Sequence, residues 1–257
     1  MEGLKKFVWV GFGLLFALVT MWSFRAPDAA MFNEPSLARI IFFHLPCAFV
    51  GLTFYVWGVV MSWRYLSSRE MRFDIRAEAA NEMATIYFAL TMATGILFSY
   101  VQWGAWWQGD PRQTSFLLVL MLQFAYTLLR TAFSDEQKRA SASAVYNVAS
   151  FLPVLFLVFV FPRLPQVVSL SSHPSQTIQK GLLVGEYAYV FLAVWALLTI
   201  FGIKLVLQRI AVESVRLNRE DMDGKLDVSG DTAGFGVVRP ISVLDEHGKE
   251  GSESRKA

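Results

Sequence analysis

The sequence predicts an all-α membrane protein with six transmembrane helices and both termini in the cytoplasm. Three observations lead there. Of 257 residues, 54% are hydrophobic and only 17% charged, with a mean hydropathy of +0.42. A water-soluble domain of this size has too little polar material to cover that much apolar surface. Six apolar runs are each of a length to cross a hydrocarbon core about 30 Å thick, which takes roughly 17 to 25 helical residues. Lastly, Lys and Arg number fourteen in the N-terminus and alternate connections, against five in the three intervening ones. The positive side faces the cytoplasm, so the first, third and fifth connections lie outside. Helices are preferred to a barrel because the runs are continuous rather than alternating, and in lipid each backbone N–H has to find its partner within its own segment.

The runs are taken in order. Residues 7–24 follow Lys5 and Lys6 and precede an Ala26-Pro27-Asp28-Ala29-Ala30 stretch that resembles a cleavage site. The run exceeds the roughly 7 to 15 apolar residues of a cleaved signal, so an uncleaved helix is expected. Residues 40–63 form the second span and residues 83–101 the third. The fourth, 114–129, is the shortest, but Leu117, Leu118, Val119, Leu120, Met121 and Leu122 give it an apolar centre. Asp110, Pro111 and Gln113 supply its start, as N-cap, first helical residue and capping-box partner. Residues 144–161 and 182–203 complete the set. Asn147 and Glu186 within them read as interhelical hydrogen-bonding groups or as parts of a cavity wall. The domain expected over residues 1–211 is therefore a six-helix bundle. Residues 212–257, rich in Asp, Glu, Gly, Ser and Lys, read as a polar, disordered cytoplasmic tail, and His247 within it is set aside.

Composition narrows the chemistry. One cysteine and three histidines exclude a disulfide scaffold, a multi-thiolate metal site and covalent haem attachment through C-x-x-C-H. A net charge of +2 gives no footing for nucleic acid. There is no Walker A motif, no H-E-x-x-H and no internal repeat, so energy or proteolysis has to come from another chain.

The distinctive residues gather on the outer side. His44, in Phe42-Phe43-His44-Leu45-Pro46-Cys47, lies about six helical positions, roughly 9 Å, inside the second span. The third connection reads Trp103-Gly104-Ala105-Trp106-Trp107-Gln108-Gly109-Asp110-Pro111-Arg112-Gln113-Thr114, and the fifth contains Ser171-Ser172-His173-Pro174. Each has a plain structural reading: an interfacial histidine bonded to a carbonyl, a surface-loop histidine, an aromatic belt, a helix cap, and for Cys47 a small hydrophobe. Three tryptophans within five residues exceed what a belt needs. If that stretch is helical, Trp103, Trp106 and Trp107 share one face and make a broad apolar platform. Arg112 in a first helical turn opposes the helix dipole and suits an anion better. A flat aromatic surface, two imidazoles and a cation together suit haem: axial nitrogens for the iron, aromatic contact for the porphyrin, Arg112 for a propionate. Ligation by imidazole should weaken as pH falls below the histidine pKa.

With those residues together, the chain resembles the CcmC-type haem-handling proteins of cytochrome c biogenesis, of the tryptophan-rich WWD-motif family. The likeness rests on Trp103-Gly-x-Trp106-Trp107-x-x-Asp110-x-Arg112-x-Thr114, on His44-x-Pro46 and on His173-Pro174, and runs from about residue 5 to residue 205. The CcmF and CcsA relatives have more spans and extra histidines. The resemblance implies that His44 and His173 are axial ligands of a non-covalent haem b facing outward, and that the tryptophan segment binds the haem edge. It also implies that haem passes to the periplasmic carrier CcmE, and that CcmA, CcmB and CcmD share a complex in a bacterial inner membrane. Gly109 stands where the family usually has another tryptophan, which removes part of the platform, and Pro111 after the aspartate stiffens the start of span four. The expected function is a haem-delivery subunit with no turnover chemistry. The alternatives are a bis-histidine b-type cytochrome redox subunit, which would usually carry histidines for a second haem, and the permease half of a haem exporter, which would need polar groups across the midplane.

Overall fold

The computed structural model describes residues 2–28, 32–173 and 184–232. Among these there is no strand, and six helical segments are long and apolar enough to cross a membrane. Residues Met1–Ser214 form one compact unit and a second begins at Val215. The helices are α1 (Glu2–Arg25), α2 (Ile41–Ser68, entered through a 3-10 turn at Leu37–Ile40), α3 (Met71–Trp103), α4 (Pro111–Thr131), α5 (Glu136–Leu155), the single turn α6 (Pro165–Val168) and α7 (Glu186–Thr232).

Local chemistry accounts for most of the boundaries. Helix α2 ends where Arg69 takes the left-handed conformation at φ 59° and returns its N–H to the Tyr65 carbonyl. Gly104 ends α3 in the same way at φ 77°, with its N–H on the Tyr100 carbonyl, a conformation that costs glycine nothing. Asp110 caps α4 and Asp135 caps α5, each accepting a backbone N–H of the first turn. Past Pro153 the fifth span widens into a π-turn at Phe156–Val160 and tightens into a 3-10 turn at Phe161–Arg163. Pro162 has no N–H to continue the ordinary ladder.

Helices α2 and α3 pack most closely. A Cβ on Gly51 would come within 2.7 Å of the Phe88 ring, and one on Gly58 within 2.3 Å of the Asn81 amide. Close backbone approach of this kind replaces the hydrophobic drive that is missing between helices in lipid. The core around Val50, Phe54, Tyr55, Tyr87, Phe88 and Val119 joins α2, α3 and α4, and Cys47 is buried there as a free thiol. Polar side chains tie the helices across: Tyr55 Oη to Ser150 Oγ, Asn147 to Ser62 Oγ, Tyr87 to the Leu198 carbonyl, and Trp22 to Glu186. Asn147 and Glu186 thus both serve as interhelical hydrogen-bonding groups.

Several helices run past the expected limits: α2 to Ser68, α3 from Met71, α5 from Glu136 and α7 to Thr232. Helix α3 begins at Met71, twelve residues before the apolar run, because Asp74, Glu78 and Glu82 in its polar start meet cations. Arg130 of α4 binds both oxygens of Asp74 at 2.8 and 2.9 Å and Glu78 at 2.9 Å. Arg209 of α7 binds Glu82 and Glu213 at 2.9 Å. Helix α7 continues to Thr232, through the first part of the segment whose composition marks a tail. His247 lies outside the described residues.

Candidate functional site

A cavity of about 480 Å³ opens between α2, α3, α4 and the π-turn of the fifth span, at the end of the bundle that carries the tryptophan loop. Its volume falls in the range of small-molecule sites, roughly 300 to 1,000 Å³. The part farther along the helices is walled by Leu52, Phe88, Met92, Phe116 and Leu157, and the polar groups His44, Asp110, Arg112, Gln113, Arg163 and His173 cluster near the helix ends. The site therefore has an apolar interior and a cationic rim.

Two imidazoles face each other across it. His44 comes from the first turn of α2 and His173 from the loop after α6. Their ring centroids are 6.5 Å apart, with the planes inclined at 44°. An imidazole nitrogen binds a transition metal at roughly 2 Å, so two rings on opposite sides of one metal ion have centroids roughly 6 Å apart. The observed spacing fits that arrangement. Among the described residues no group of three or more His, Cys, Asp or Glu side chains is placed to hold a metal ion. Any metal held by this pair would have to bring its remaining ligands with it, as the iron of a macrocycle does.

His173 is positioned by Asp110. One carboxylate oxygen, Oδ1, accepts the Arg112 backbone N–H at 2.8 Å and so caps α4. The other, Oδ2, accepts from Ser171 Oγ at 2.8 Å, from the Ser172 N–H at 2.7 Å and from the His173 N–H at 3.3 Å. Burial pushes the Asp110 carboxyl up, but these hydrogen bonds and the neighbouring His173 outweigh it and hold the group below its ordinary value. Burial first, then the charge of Arg112 and the facing His44, lower the His173 pKa to about 3, with Asp110 acting in the opposite sense. His173 is therefore neutral throughout the physiological range, the state in which imidazole binds a metal.

Arg112 lines the cavity, and its Nε and Nη2 are buried with no hydrogen-bond partner among the described residues. A buried guanidinium with two unmatched donors calls for an anionic ligand. Arg163, at the end of the fifth span, lines the same cavity and is close enough for the two cations to repel. Arg163 lies outside the tryptophan and histidine motifs. Its one signal is a lone cation at a span end where the charge count runs low in Lys and Arg.

The tryptophans divide. Trp103, the last residue of α3, lines the cavity and packs edge-on against Phe98, which packs edge-on against Phe32 of the first connection. Residues 104–110 are not helical, so the condition for a single three-tryptophan face is not met, and Gly104 is the physical reason. Trp106 stacks on Tyr100 at 4.1 Å and 7° and remains 55% exposed, and Trp107 is 43% exposed. Neither lines the cavity. Gln113 does not complete a capping box; its Oε1 accepts the Gln108 N–H and its Nε2 donates to the Trp106 carbonyl, bracing the loop instead. Of the residues singled out in the sequence, the structure brings His44, His173, Trp103, Asp110 and Arg112 to one cavity and leaves Trp106 and Trp107 beside it.

Over residues 2–222 the chain matches the model of a protein family described as CcmC, heme exporter protein C. It is 28% identical over 174 residues to heme exporter protein C of Paracoccus denitrificans, covering 65% of this chain and 71% of that protein. To the protein of the same name in Bradyrhizobium diazoefficiens it is 29% identical over 176 residues, 66% of this chain and 65% of the other. For Escherichia coli the figures are 25% over 125 residues, 49% of this chain and 51% of the other.

Proposed function

The chain belongs to the CcmC family, the haem exporter C proteins that handle haem in cytochrome c-type biogenesis, and from that premise we propose that it is a haem-delivery subunit. It binds haem b non-covalently at the outer, periplasmic face of a bacterial inner membrane and hands it to the CcmE carrier. The observation that carries this reading is the facing pair His44 and His173, with centroids 6.5 Å apart beside a cavity of about 480 Å³.

Each residue has a part that follows from its place. His44 sits on a packed helix and is the fixed axial ligand. His173 sits on a loop held by hydrogen bonds to Asp110 Oδ2, which can be exchanged for water without disturbing the bundle, and is the ligand that lets go. The apolar walls take the hydrocarbon edge of the porphyrin, while Arg112 and Arg163 meet the propionates near the rim. Trp103 is the aromatic wall. Trp106 and Trp107 extend an exposed aromatic surface beside the opening, where a soluble carrier has to approach. The chain supplies position and a neutral ligand pair rather than turnover chemistry, and CcmA, CcmB and CcmD are the expected membrane partners for energy and assembly.

The test is an absorption spectrum of the full-length protein in mild detergent, oxidised and dithionite-reduced, with and without the carrier. The parent protein should show a six-coordinate haem that leaves only when the carrier is added. His44→Ala and His173→Ala should each lose that spectrum or release haem prematurely. Spectra unchanged in both variants would overturn the ligand assignment.

A further inference from the structure

Resting on the haem reading above, we propose that Thr94, together with Gly95, is the positioning element that fixes His44 in the tautomer and pose in which Nε2 is free for iron. His44 Nδ1 lies 3.0 Å from Thr94 Oγ1. That hydroxyl also lies 2.7 Å from the Leu90 carbonyl and 3.1 Å from the Thr91 carbonyl, to which it donates. A hydroxyl has one hydrogen and two lone pairs. Two carbonyls, which can only accept, take the hydrogen, so the oxygen turns a lone pair toward the ring and Nδ1 has to supply the proton. With the proton on Nδ1, the lone pair of neutral imidazole is on Nε2.

Gly95 sets the pose. A Cβ at this position would lie 3.0 Å from His44 Cε1 and 3.6 Å from Nδ1. Cε1 is the carbon between the two nitrogens, so pushing it swings Nδ1 away from Thr94 and Nε2 away from the iron position together. The missing side chain lets the ring rest on α3 where the hydroxyl can reach it. Thr94 does not border the cavity and acts only through His44. A hydrogen bond accepted from the distal ring nitrogen makes an imidazole a stronger donor, and so favours the ferric over the ferrous ion.

The experiment titrates haemin into the full-length protein in detergent and follows the Soret band, then records the oxidised–reduced equilibrium of the loaded protein. Thr94→Val keeps the shape and removes the hydroxyl. It should bind haemin about 10- to 100-fold more weakly and shift toward the reduced form, and Thr94→Ser should restore both. Gly95→Ala should weaken binding with the hydroxyl still present. Thr94→Val behaving as the parent, or Thr94→Ser failing as Thr94→Val does, overturns the proposal. If His44→Ala loses the six-coordinate spectrum while Thr94→Val keeps parental affinity, only this inference falls; if His44→Ala keeps the spectrum, His44 is not a ligand and the inference falls with that assignment.

Discussion

Asp110 divides its two oxygens between the start of α4 and the loop that carries His173, and the consequence is measurable. Asp110→Asn retains a carbonyl oxygen to cap the helix but puts an NH2 where three donors now converge. Losing charge-assisted bonds of this kind costs about 1.5–3 kcal/mol, so haem affinity should fall roughly 10- to 100-fold while the helices stay inserted. The pH response follows from His173. The unfolded chain takes up a proton near the ordinary 6.5 and the folded site only near 3, so acid favours the opened loop between those values. Its stability is whole above 6.5 and is lost as pH falls toward 3; Asp110, also lowered, acts in the same direction below its ordinary range. Haem retention in the parent should therefore weaken as pH falls from about 6.5 toward 3, and Asp110→Asn, which starts from a weaker hold on the loop, should lose haem at a higher pH than the parent. Soret absorbance against pH checks both, and coincident profiles would show that Asp110 does not hold the loop. His44 is legible in the sequence as a polar group in an apolar run, and His173, Asp110 and Arg112 through the motifs that carry the likeness to the CcmC-type proteins; the structure lines one cavity with all four. Thr94, Gly95 and Arg163 are not legible in the sequence, since a threonine or glycine in a transmembrane helix is ordinary and its meaning depends on which neighbour it touches.

At the scale of elements, hydropathy located all six spans and drew several of them short, α3 among them. The first turns of α3 carry Arg72, Asp74, Arg76, Glu78 and Glu82, which no apolar window includes, yet the helix is continuous because Arg130 and Arg209 reach it from α4 and α7. Such pairing between distant stretches leaves no mark in a local reading. Asp74 and Arg130 are both buried, and an ion pair out of water is strongly destabilising when one partner is removed and near neutral when both are replaced. Arg130→Met should therefore cost about 3–5 kcal/mol, while Asp74→Leu with Arg130→Met should recover much of it, as read from thermal unfolding in detergent. Equal loss in the single and double variants would mean that the pair does not tie α3 to α4. The tryptophan segment shows the opposite limit of local reading. Spacing at 103, 106 and 107 is helical, but Gly104 at φ 77° ends the helix after the first of the three, and one backbone dihedral decides the geometry of the whole motif.

For the whole molecule, sidedness follows from the distribution of charge along the chain rather than from the geometry of the bundle. The bundle places the tryptophan loop, His44 and His173 at one end of the helices, and the connections at 69–70 and 132–135 at the other. Which end meets the periplasm rests on fourteen Lys and Arg against five, and on the tendency of cytoplasmic connections to retain positive charge. The chain lends itself to a direct test, because its one cysteine, Cys47, is buried and gives little background to a thiol reagent. Gln108→Cys places a thiol on the exposed tryptophan loop, and Ser134→Cys places one on the exposed connection between α4 and α5. A membrane-impermeant maleimide applied to intact spheroplasts should label the first and spare the second until the membrane is opened. The reverse pattern would turn the cavity proposed for haem toward the cytoplasm, and a periplasmic carrier could then never reach the ring edge that the delivery reading offers it.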